Sequence, residues 1–400
     1  MNLIKIYNGT IITPNRSIKN GTILIADGKI LEVTDKNIEL PGAIEINVAG
    51  KYISPGFIDI HVHGGGGHDF MDNTLEAFLG IAKAHAKFGT TALMPTTLSC
   101  EKQDLLDTLS LYDKADALNK EGAQFIGLHI EGPYFSMKQK GAQDPRYIRN
   151  PDPEEYQEIL AYSKSIKRWS AAPELPGALK FGELLKIKNI LPAIAHTDAV
   201  YEEVLEAYEK GFTHATHFYS CMSGVSRRNA YRYAGVVESA YLLDGMTVEI
   251  IADGIHLPAP LLKLVYKIKG AESIALITDA MRAAGMPPGP SVLGSLKDGM
   301  DVIVEDGVAK LTDRSAFAGS VATTDRLVRN MIHLAEIPLQ DAIKMITETP
   351  ASIMNILDQK GTLIKGKDAD VVIFDKNINI DTTMINGQIV YSASERHLLV

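Results

Sequence analysis

The two ends of the chain share a strand-like pattern, in which apolar and polar residues alternate over short segments. These segments are residues 3–7, 22–25, 29–33 and 44–48 near the start, and 369–375 and 383–391 near the end. The dipeptides Asn8-Gly9, Asp27-Gly28 and Pro41-Gly42 separate the first four segments and are hairpin and turn signals. We therefore expect one small β-sandwich domain that is formed by both termini, from residues 1–52 plus 359–400.

The middle of the chain, residues 53–358, alternates apolar runs with segments of helical period, which is typical of βα units around a parallel sheet. Eight strands are predicted, at residues 56–60, 90–95, 125–130, 170–173, 192–195, 215–218, 247–252 and 274–278. Intervening helices are predicted at residues 75–88, 154–164, 202–211 and 258–268. Eight such units indicate an α/β fold, a TIM-like (β/α)8 metal-dependent hydrolase barrel.

Residues with metal-binding side chains follow several of the predicted strands. Four of them come directly after a predicted strand, namely His61, Glu131, His196 and Asp279, and His217 lies within another. Catalytic groups of such barrels gather at the carboxyl ends of different strands, so we expect these side chains to converge. His63 joins them, because residues two apart on a strand point to the same face.

Each of these residues also has an ordinary structural interpretation. A histidine at a strand end is often only hydrogen-bonded, Asp279 could cap the following helix, and residues 131–133 could form a simple turn. Six coincidences at one barrel mouth favour a site for zinc, iron or manganese, which take nitrogen and oxygen ligands. A bound metal would acidify a water molecule and polarise a carbonyl, with Asp279 as the proton shuttle. Hydrolysis is the reaction class that this chemistry predicts.

Composition excludes several other classes of protein. The 400 residues suffice for a barrel with an accessory domain, and the net charge of −9 argues against a general nucleic-acid binder. Cys100 and Cys221 are the only cysteines, so a disulfide framework or a cysteine-rich zinc module is excluded. Neither a signal peptide nor an apolar run of membrane-spanning length is present, so a cytoplasmic protein without membrane contact is expected.

Eight short segments carry a recognisable series of motifs, at residues 55–64, 127–134, 140–142, 195–199, 214–217, 252–256, 278–281 and 318–320. With these segments the chain resembles the amidohydrolase superfamily over essentially its whole length, and within it the family that deacetylates N-acetylglucosamine 6-phosphate. The segment from His129 to Pro133 is the most specific one. Related dihydroorotases and dihydropyrimidinases use a carbamylated lysine as the bridging ligand, whereas here the corresponding residue is Glu131.

The resemblance implies a division of roles among the converging residues. Glu131, His196 and His217 would hold the catalytic metal, and Asp279 would act first as general base and then as general acid. His61 and His63 would hold a second metal, with Glu131 between the two. One or two divalent ions per subunit are therefore expected, with zinc as the first choice and iron or manganese as alternatives.

The resemblance also implies a substrate site, and this is where the chain departs from the family. The implied substrate contacts are Ala142, Gln143, Ser220, Cys221, Arg228, His256 and Arg282. Arg228 and His256 would bind the sugar phosphate, with Arg228 donated across a homodimer interface. The family usually has histidine in place of Gln143 and asparagine in place of Ser220. It has a small residue in place of Arg282, which we expect to add a cation at the mouth of the site.

These features predict hydrolysis of the N-acetyl group of N-acetylglucosamine 6-phosphate, giving glucosamine 6-phosphate and acetate. The alternative is an amidohydrolase that deacylates a different N-acyl amino-sugar phosphate or an N-acyl amino acid. A barrel that has lost catalysis and serves as a scaffold is disfavoured, because loss of catalysis usually removes metal ligands and all of them are present.

Overall fold

The structure is a computed structural model that describes residues 2–13 and 16–393. It begins with five strands, β1 (Leu3–Ile12), β2 (Ser17–Ala26), β3 (Lys29–Thr34), β4 (Ile44–Asn47) and β5 (Tyr52–Pro55). Among the helices of the described residues, none combines the length and the apolarity that are needed to cross a bilayer.

The long middle region alternates strands and helices, as predicted. Its first half contains β6 (Phe57–Val62), β7 (Gly64–Gly65), β8 (His68–Asp69), α1 (Leu75–Ala86), β9 (Thr90–Pro95), α2 (Lys102–Leu118), β10 (Gln124–Phe125), β11 (Leu128–Glu131), α3 (Pro153–Tyr162), β12 (Ile166–Ala171), α4 (Ala178–Ile187) and β13 (Leu191–Ile194). Its second half contains α5 (Tyr201–Glu209), β14 (His214–Ala215), β15 (Ser226–Arg228), β16 (Tyr231–Tyr233), α6 (Val236–Leu242), β17 (Thr247–Ile250), α7 (Ala259–Lys269), β18 (Ile274–Leu276), β19 (Gly289–Leu293), β20 (Met300–Glu305), β21 (Val308–Leu311), α8 (Thr324–His333), α9 (Leu339–Ile346) and α10 (Glu348–Ile353). Short 3-10 helices lie at Phe70–Asp72 and Met137–Gln139, and the last strands are β22 (Val371–Phe374), β23 (Ile380–Ile385) and β24 (Gln388–Ser392).

Eight parallel strands form the curved sheet that carries the site. The strands β11, β12, β13, β14, β17 and β18 pair in that order, and β6 pairs with β9. Parallel bridges Thr96–His129 and Val62–Ala280 connect the two groups at their edges. The predicted α/β fold is thus confirmed, with its parallel strands in a curled sheet.

Most predicted strands differ in their bounds from the observed ones, and the strand predicted at 215–218 is only His214–Ala215, so that His217 follows it. The strand predicted at 125–130 is divided into β10 and β11, because Gly127 between them adopts a φ of +107°, which favours glycine. The strand predicted at 170–173 begins earlier, at Ile166. The prediction missed this start because Arg168, a charged residue, occupies a fully buried position in the strand. A charged residue in a buried strand breaks the apolar run on which the prediction depended.

Strands from both termini pair in one eight-stranded sheet with the order β24-β23-β22-β5-β1-β2-β3 and β4 beside β1. The two ends meet where β22 runs antiparallel to β5, with Val371 opposite Pro55. Residues such as Ile6, Ile23 and Ile373 form a separate apolar cluster on this sheet. Whether the sheet folds into a β-sandwich, with boundaries at residues 52 and 359, stays a prediction.

Three small antiparallel units were not predicted, and one of them is the pair of β7 with β8. The strands β19, β20 and β21 form a three-stranded sheet between β18 and α8, and β15 with β16 forms a hairpin after β14. Leu293 of β19 and Phe317, which follows β21, line the cavity described below. No strands were predicted in these segments because their alternation of apolar and polar residues is short and interrupted by glycine.

Packing behind the site fixes the turn that follows β11. The Trp169 ring stacks on the Tyr134 ring, with centroids 5.8 Å apart, and the indole nitrogen donates to the Gly132 carbonyl at 2.8 Å. Both rings are fully buried. This contact holds the backbone next to Glu131 in a single position.

Candidate active site

The residues predicted as metal ligands come together at the carboxyl ends of the parallel strands. They form two groups of three buried side chains, one of His61, His63 and Asp279 and the other of Glu131, His196 and His217. His196, His217 and Asp279 all have left-handed backbone conformations, with φ of +45°, +30° and +48°. Such strained positions cluster at functional sites, since they turn side chains away from the regular strand direction.

The ligand atoms within each group are close together. In the first group, Asp279 Oδ1 lies 3.1 Å from His63 Nε2 and 3.5 Å from His61 Nε2, and the two nitrogens are 3.2 Å apart. In the second group, His217 Nε2 lies 3.0 Å from Glu131 Oε1 and 3.2 Å from His196 Nε2. Zinc ligands at about 2.0–2.1 Å in a tetrahedron are separated by roughly 3.3 Å. Both groups therefore fit around a small divalent ion.

Glu131 connects the two groups. Its Oε1 lies 3.5 Å from His61 Nε2, and its Oε2 lies 3.3 Å from His63 Nε2. The same Oε1 faces His217 of its own group. One carboxylate thus reaches both sets of ligands, as expected of a bridging residue.

Hydrogen bonds on the outer side orient three of the four imidazoles. The Nδ1 atom of His61 donates to Glu249 Oε1 at 2.7 Å, and that of His196 donates to the Gln139 carbonyl at 2.8 Å. The Nδ1 atom of His63 lies 3.2 Å from the Thr96 carbonyl. These acceptors place the proton on Nδ1 and leave the Nε2 lone pair directed at the centre, which is the tautomer a metal needs. Within the described residues, the Nδ1 of His217 has no partner.

The charge of the cluster also calls for a cation. Burial alone raises the pKa of the carboxyl groups, but neighbouring imidazoles and Arg168 outweigh it, so that the pKa of Glu131 and Glu249 falls well below the usual range and that of Asp279 falls below it. Burial lowers the pKa of His61 and His63, but the facing carboxylates outweigh it and raise the values to about 9 and about 10. Without a metal, protonated imidazoles and Arg168 therefore balance the carboxylates. A divalent ion held by the Nε2 atoms would displace the imidazole protons and balance the carboxylates of the two groups in their place.

A cavity of about 200 Å³ opens above the two groups and is lined by residues of both. Five of the predicted substrate contacts line it: Ala142, Gln143, Ser220, Cys221 and His256. The Phe317 ring, 41% exposed, lies beside the His256 ring at the cavity wall, with centroids 4.7 Å apart. The sequence analysis did not single out Phe317, since an aromatic residue in a loop carries no specific signal.

Gln143 makes a contact that was not expected of a substrate-binding residue. Its amide nitrogen donates to Glu131 Oε2 at 2.9 Å, and its amide oxygen accepts from the Ser99 backbone N–H at 2.9 Å. The backbone donor fixes which end of the amide faces Glu131. Gln143 therefore stabilises the Glu131 carboxylate as well as lining the cavity.

The structure corrects the expected position of Arg282. Its guanidinium is buried away from the cavity, and all five N–H groups are used by Asp72, by the Gly67 and Gly294 carbonyls and by the Val292 carbonyl. It has no donor left for a substrate at the mouth. Its position shortly after Asp279 in the chain predicted a place beside that residue, but the turn after β18 directs the Arg282 side chain away from the cavity.

Arg228 does not reach the cavity of its own chain either. It lies exposed in β15, and its guanidinium carbon is 5.3 Å from the centre of the Tyr233 ring. A role for Arg228 in this site needs a second subunit.

Two buried charged residues behind the site escaped the sequence analysis. Glu249 lies inside β17 and Arg168 inside β12, where apolar runs were expected. Glu249 contacts the ligand residue His61, and Arg168 contacts the Ile60 carbonyl of β6. A charged residue in the middle of a buried strand is the signal that could have indicated them.

The family model of the amidohydrolase family matches residues 52–390. The chain belongs to the amidohydrolase family. This membership confirms both the resemblance and the prediction of a metal-dependent amide hydrolase. N-acetylglucosamine-6-phosphate deacetylase of Lysinibacillus sphaericus is 34% identical to it over 392 residues, 96% of this chain and 97% of that protein.

Two further relatives of this amidohydrolase bear on the substrate. N-acetylgalactosamine-6-phosphate deacetylase of Escherichia coli O157:H7 is 31% identical over 387 residues, 95% of this chain and 97% of that protein. A mutant N-acetyl-D-glucosamine-6-phosphate deacetylase from Mycobacterium smegmatis, solved in complex with N-acetyl-D-glucosamine-6-phosphate, has a TM-score of 0.90 at 28% identity. That match covers 98% of this chain and 100% of the other.

Proposed function

We propose that this amidohydrolase hydrolyses the N-acetyl group of N-acetylglucosamine 6-phosphate, giving glucosamine 6-phosphate and acetate. The observation that carries the proposal is the complete set of Glu131, His196, His217 and Asp279 in the wall of one cavity. The full-length similarity of this chain to amino-sugar-phosphate deacetylases supports the choice of substrate class.

Glu131, His196 and His217 would hold the catalytic ion, and His61 with His63 would hold a second one beside Glu131. Zinc is the expected ion, with iron or manganese as alternatives, because imidazole and carboxylate ligands accept all three. A bound divalent ion supplies a Lewis acid that polarises the amide carbonyl and acidifies water.

Asp279 is the proposed proton carrier. Its lowered pKa keeps it ionised, because His61 and His63 outweigh the effect of burial, so it can accept a proton. It takes a proton from the water that attacks the acetyl carbon and returns it to the nitrogen as the carbon–nitrogen bond breaks. The new carbon–oxygen bond stays in acetate, and the amine stays on the sugar.

His256 is the proposed phosphate contact within the subunit. Its Nδ1 donates to Asp253 Oδ2 at 2.8 Å, which orients the ring and leaves Nε2 for a ligand in the cavity. We infer that Arg228 of a second subunit completes the site in a homodimer. The exposed hairpin of β15 and β16, where Tyr231 is 74% exposed, supports this arrangement. Ala142, Ser220 and Cys221 would contact the rest of the sugar.

We also infer that the eight parallel strands close into a (β/α)8 barrel through the bridges at Val62 and Thr96. The barrel would comprise residues 53–358, and the small β-sandwich domain residues 1–52 plus 359–400, of which residues 1, 14, 15 and 394–400 lie outside the described residues. The pairing of β22 with β5 supports a domain that both termini build.

The test is acetate release by protein that is stripped of metal and reloaded with zinc, iron or manganese. The substrates are the 6-phosphates of N-acetylglucosamine, N-acetylgalactosamine and N-acetylmannosamine, with unphosphorylated N-acetylglucosamine alongside. We expect metal-dependent turnover of N-acetylglucosamine 6-phosphate and at least tenfold less of the unphosphorylated sugar. Equal turnover of the unphosphorylated sugar, or none with metal bound, would contradict the proposal.

A second candidate is deacetylation of N-acetylgalactosamine 6-phosphate. The relative from Escherichia coli O157:H7 that carries this name favours it. The altered residues Gln143 and Ser220 line the cavity and could change how a sugar hydroxyl is recognised. A higher kcat/KM for the galactosamine epimer in the same assay would replace the first candidate by the second.

A further inference from the structure

Glu249 is a buried carboxylate outside both ligand groups. It lies in β17 with no exposed surface. Its Oε1 accepts a hydrogen bond from His61 Nδ1 at 2.7 Å and another from the His217 backbone N–H at 3.0 Å. Since His61 belongs to one ligand group and His217 to the other, Glu249 contacts both. It does not line the cavity, so it cannot contact a substrate there.

Arg168 holds Glu249 in place. Its guanidinium donates to Glu249 Oε2 at 2.5 Å and to Oε1 at 2.9 Å, a two-pronged contact that fixes the plane of the carboxylate. The remaining donors of the two terminal nitrogens go to the Ile60 carbonyl and to Thr216 Oγ1, both next to ligand residues. A buried carboxylate without such a partner would carry a large desolvation cost. Arg168 and Glu249 therefore form a compensated ion pair in the interior of the parallel sheet.

The contact with His217 has a specific consequence. His217 has a φ of +30°, which is unfavourable for a residue with a side chain, and its Nδ1 has no partner within the described residues. Its ring is therefore directed by the backbone turn rather than by an outer hydrogen bond. Glu249 stabilises that turn by accepting the backbone N–H.

We propose that Glu249, fixed by Arg168, is a positioning residue that sets the tautomer of His61 and the backbone turn of His217, and thereby the metal affinity of both ligand groups. The inference rests on the metal sites of the proposed function. It differs from that function because metal binding can be measured without substrate. Acceptors behind metal-bound histidines commonly change metal affinity by about 10–100-fold.

The test is a titration of the metal-free full-length protein with cobalt(II) in competition with a chelator, followed by the visible absorption of the bound ion. We expect Glu249→Gln to weaken cobalt affinity by about 10–100-fold and to alter the absorption bands. The glutamine keeps the volume, but its amide N–H groups must face either Arg168 or His61, which are both donors.

Asp370→Asn is the matched control. Asp370 is also a buried carboxylate that pairs with a buried cation, Lys360 at 2.7 Å, but it lies just before β22 and belongs to neither ligand group. Its cobalt affinity should stay within about twofold of the original protein. An equal loss in both variants would indicate a general structural effect and overturn the proposal.

A double variant keeps the proposal testable if Glu249→Gln does not fold. Arg168→Leu with Glu249→Leu removes both charges together, and apolar replacements of buried pairs are often neutral or stabilising. A double variant that folds and binds cobalt at least tenfold more weakly than the original protein supports the proposal. Cobalt binding as tight as in the original protein, in either variant, overturns it, whatever the deacetylase assay shows.

Discussion

Gln143 occupies the position between the bridging carboxylate and the substrate cavity. Gln143→Leu keeps the approximate size but removes the hydrogen bond to Glu131 and leaves the Ser99 N–H unpaired. We expect kcat to fall by roughly 10–100-fold, the usual effect of losing a contact behind a metal ligand. Steady-state kinetics with measured metal content checks this. Gln139→Leu is the control, because its side chain points to Asp198 and its backbone carbonyl still accepts from His196; an equal loss there would contradict the assignment.

Asp279 is the residue on which the proposed proton transfer depends. Asp279→Asn keeps the shape but cannot accept a proton, so kcat should fall by about 10²–10⁴-fold, the range of general acid–base catalysis. The second ligand group does not include Asp279, and its metal should remain bound. Single-turnover acetate release and metal analysis measure the two effects. Normal turnover in this variant would show that another group carries the proton.

At the scale of single elements, an ion pair joins the 3-10 helix at Phe70–Asp72 to the turn after β18. Asp72 and Arg282 are both nearly buried, with distances of 2.7 and 2.8 Å. Burial raises the pKa of Asp72, but Arg282 outweighs it and holds the pKa below the usual range. The pair therefore stabilises the folded state above pH 4 or so, where Asp72 is ionised even in the unfolded chain, and loses effect as the pH falls further.

Asp72→Asn should accordingly lower the free energy of unfolding at pH 7 by something on the order of 3 kcal/mol, as expected for a broken buried pair. The difference from the original protein should shrink in urea unfolding at pH 3. Asp144→Asn is the control, because Asp144 pairs with the exposed Arg146 and such pairs contribute at most about 1 kcal/mol. A difference that did not change with pH would contradict the ion pair as its cause.

The elements also show how far the pattern of residues could predict the molecule. Apolar runs predicted the strands of the curved sheet, because strands buried on both faces are continuously apolar. They failed at Arg168, where a charged side chain is buried because Glu249 compensates it. The ligand residues could be predicted because strand ends converge. The position of Arg282 could not, because it depends on the Val292 carbonyl of β19 and the Gly294 carbonyl just after it, and the pattern of β19 was too short to identify a strand.

At the scale of the whole molecule, Lys360 connects the terminal sheet to the curved sheet. Its ammonium contacts Asp370 at 2.7 Å and Asp368 at 2.8 Å, and it also donates to Gln124 of β10. The side chain is nearly buried. Burial lowers the pKa of Lys360, but the two aspartates outweigh it and raise the pKa. A raised pKa means that the stabilisation is complete below the unfolded value of about 10.4 and is lost only as the pH rises through the higher folded value.

Lys360→Met should therefore destabilise the protein throughout the neutral range, because it leaves the buried Asp370 without its cation and Asp368 with only the exposed Lys29. We expect the free energy of unfolding to fall by about 3–5 kcal/mol, with the same difference at pH 7 and pH 9, measured by denaturant unfolding at fixed metal content. Lys29→Met is the control. Lys29 also pairs with Asp368, but its side chain is 55% exposed, so its removal should cost at most about 1 kcal/mol. If both variants lost the same amount, the buried connection through Gln124 would not be what stabilises the contact between the two sheets.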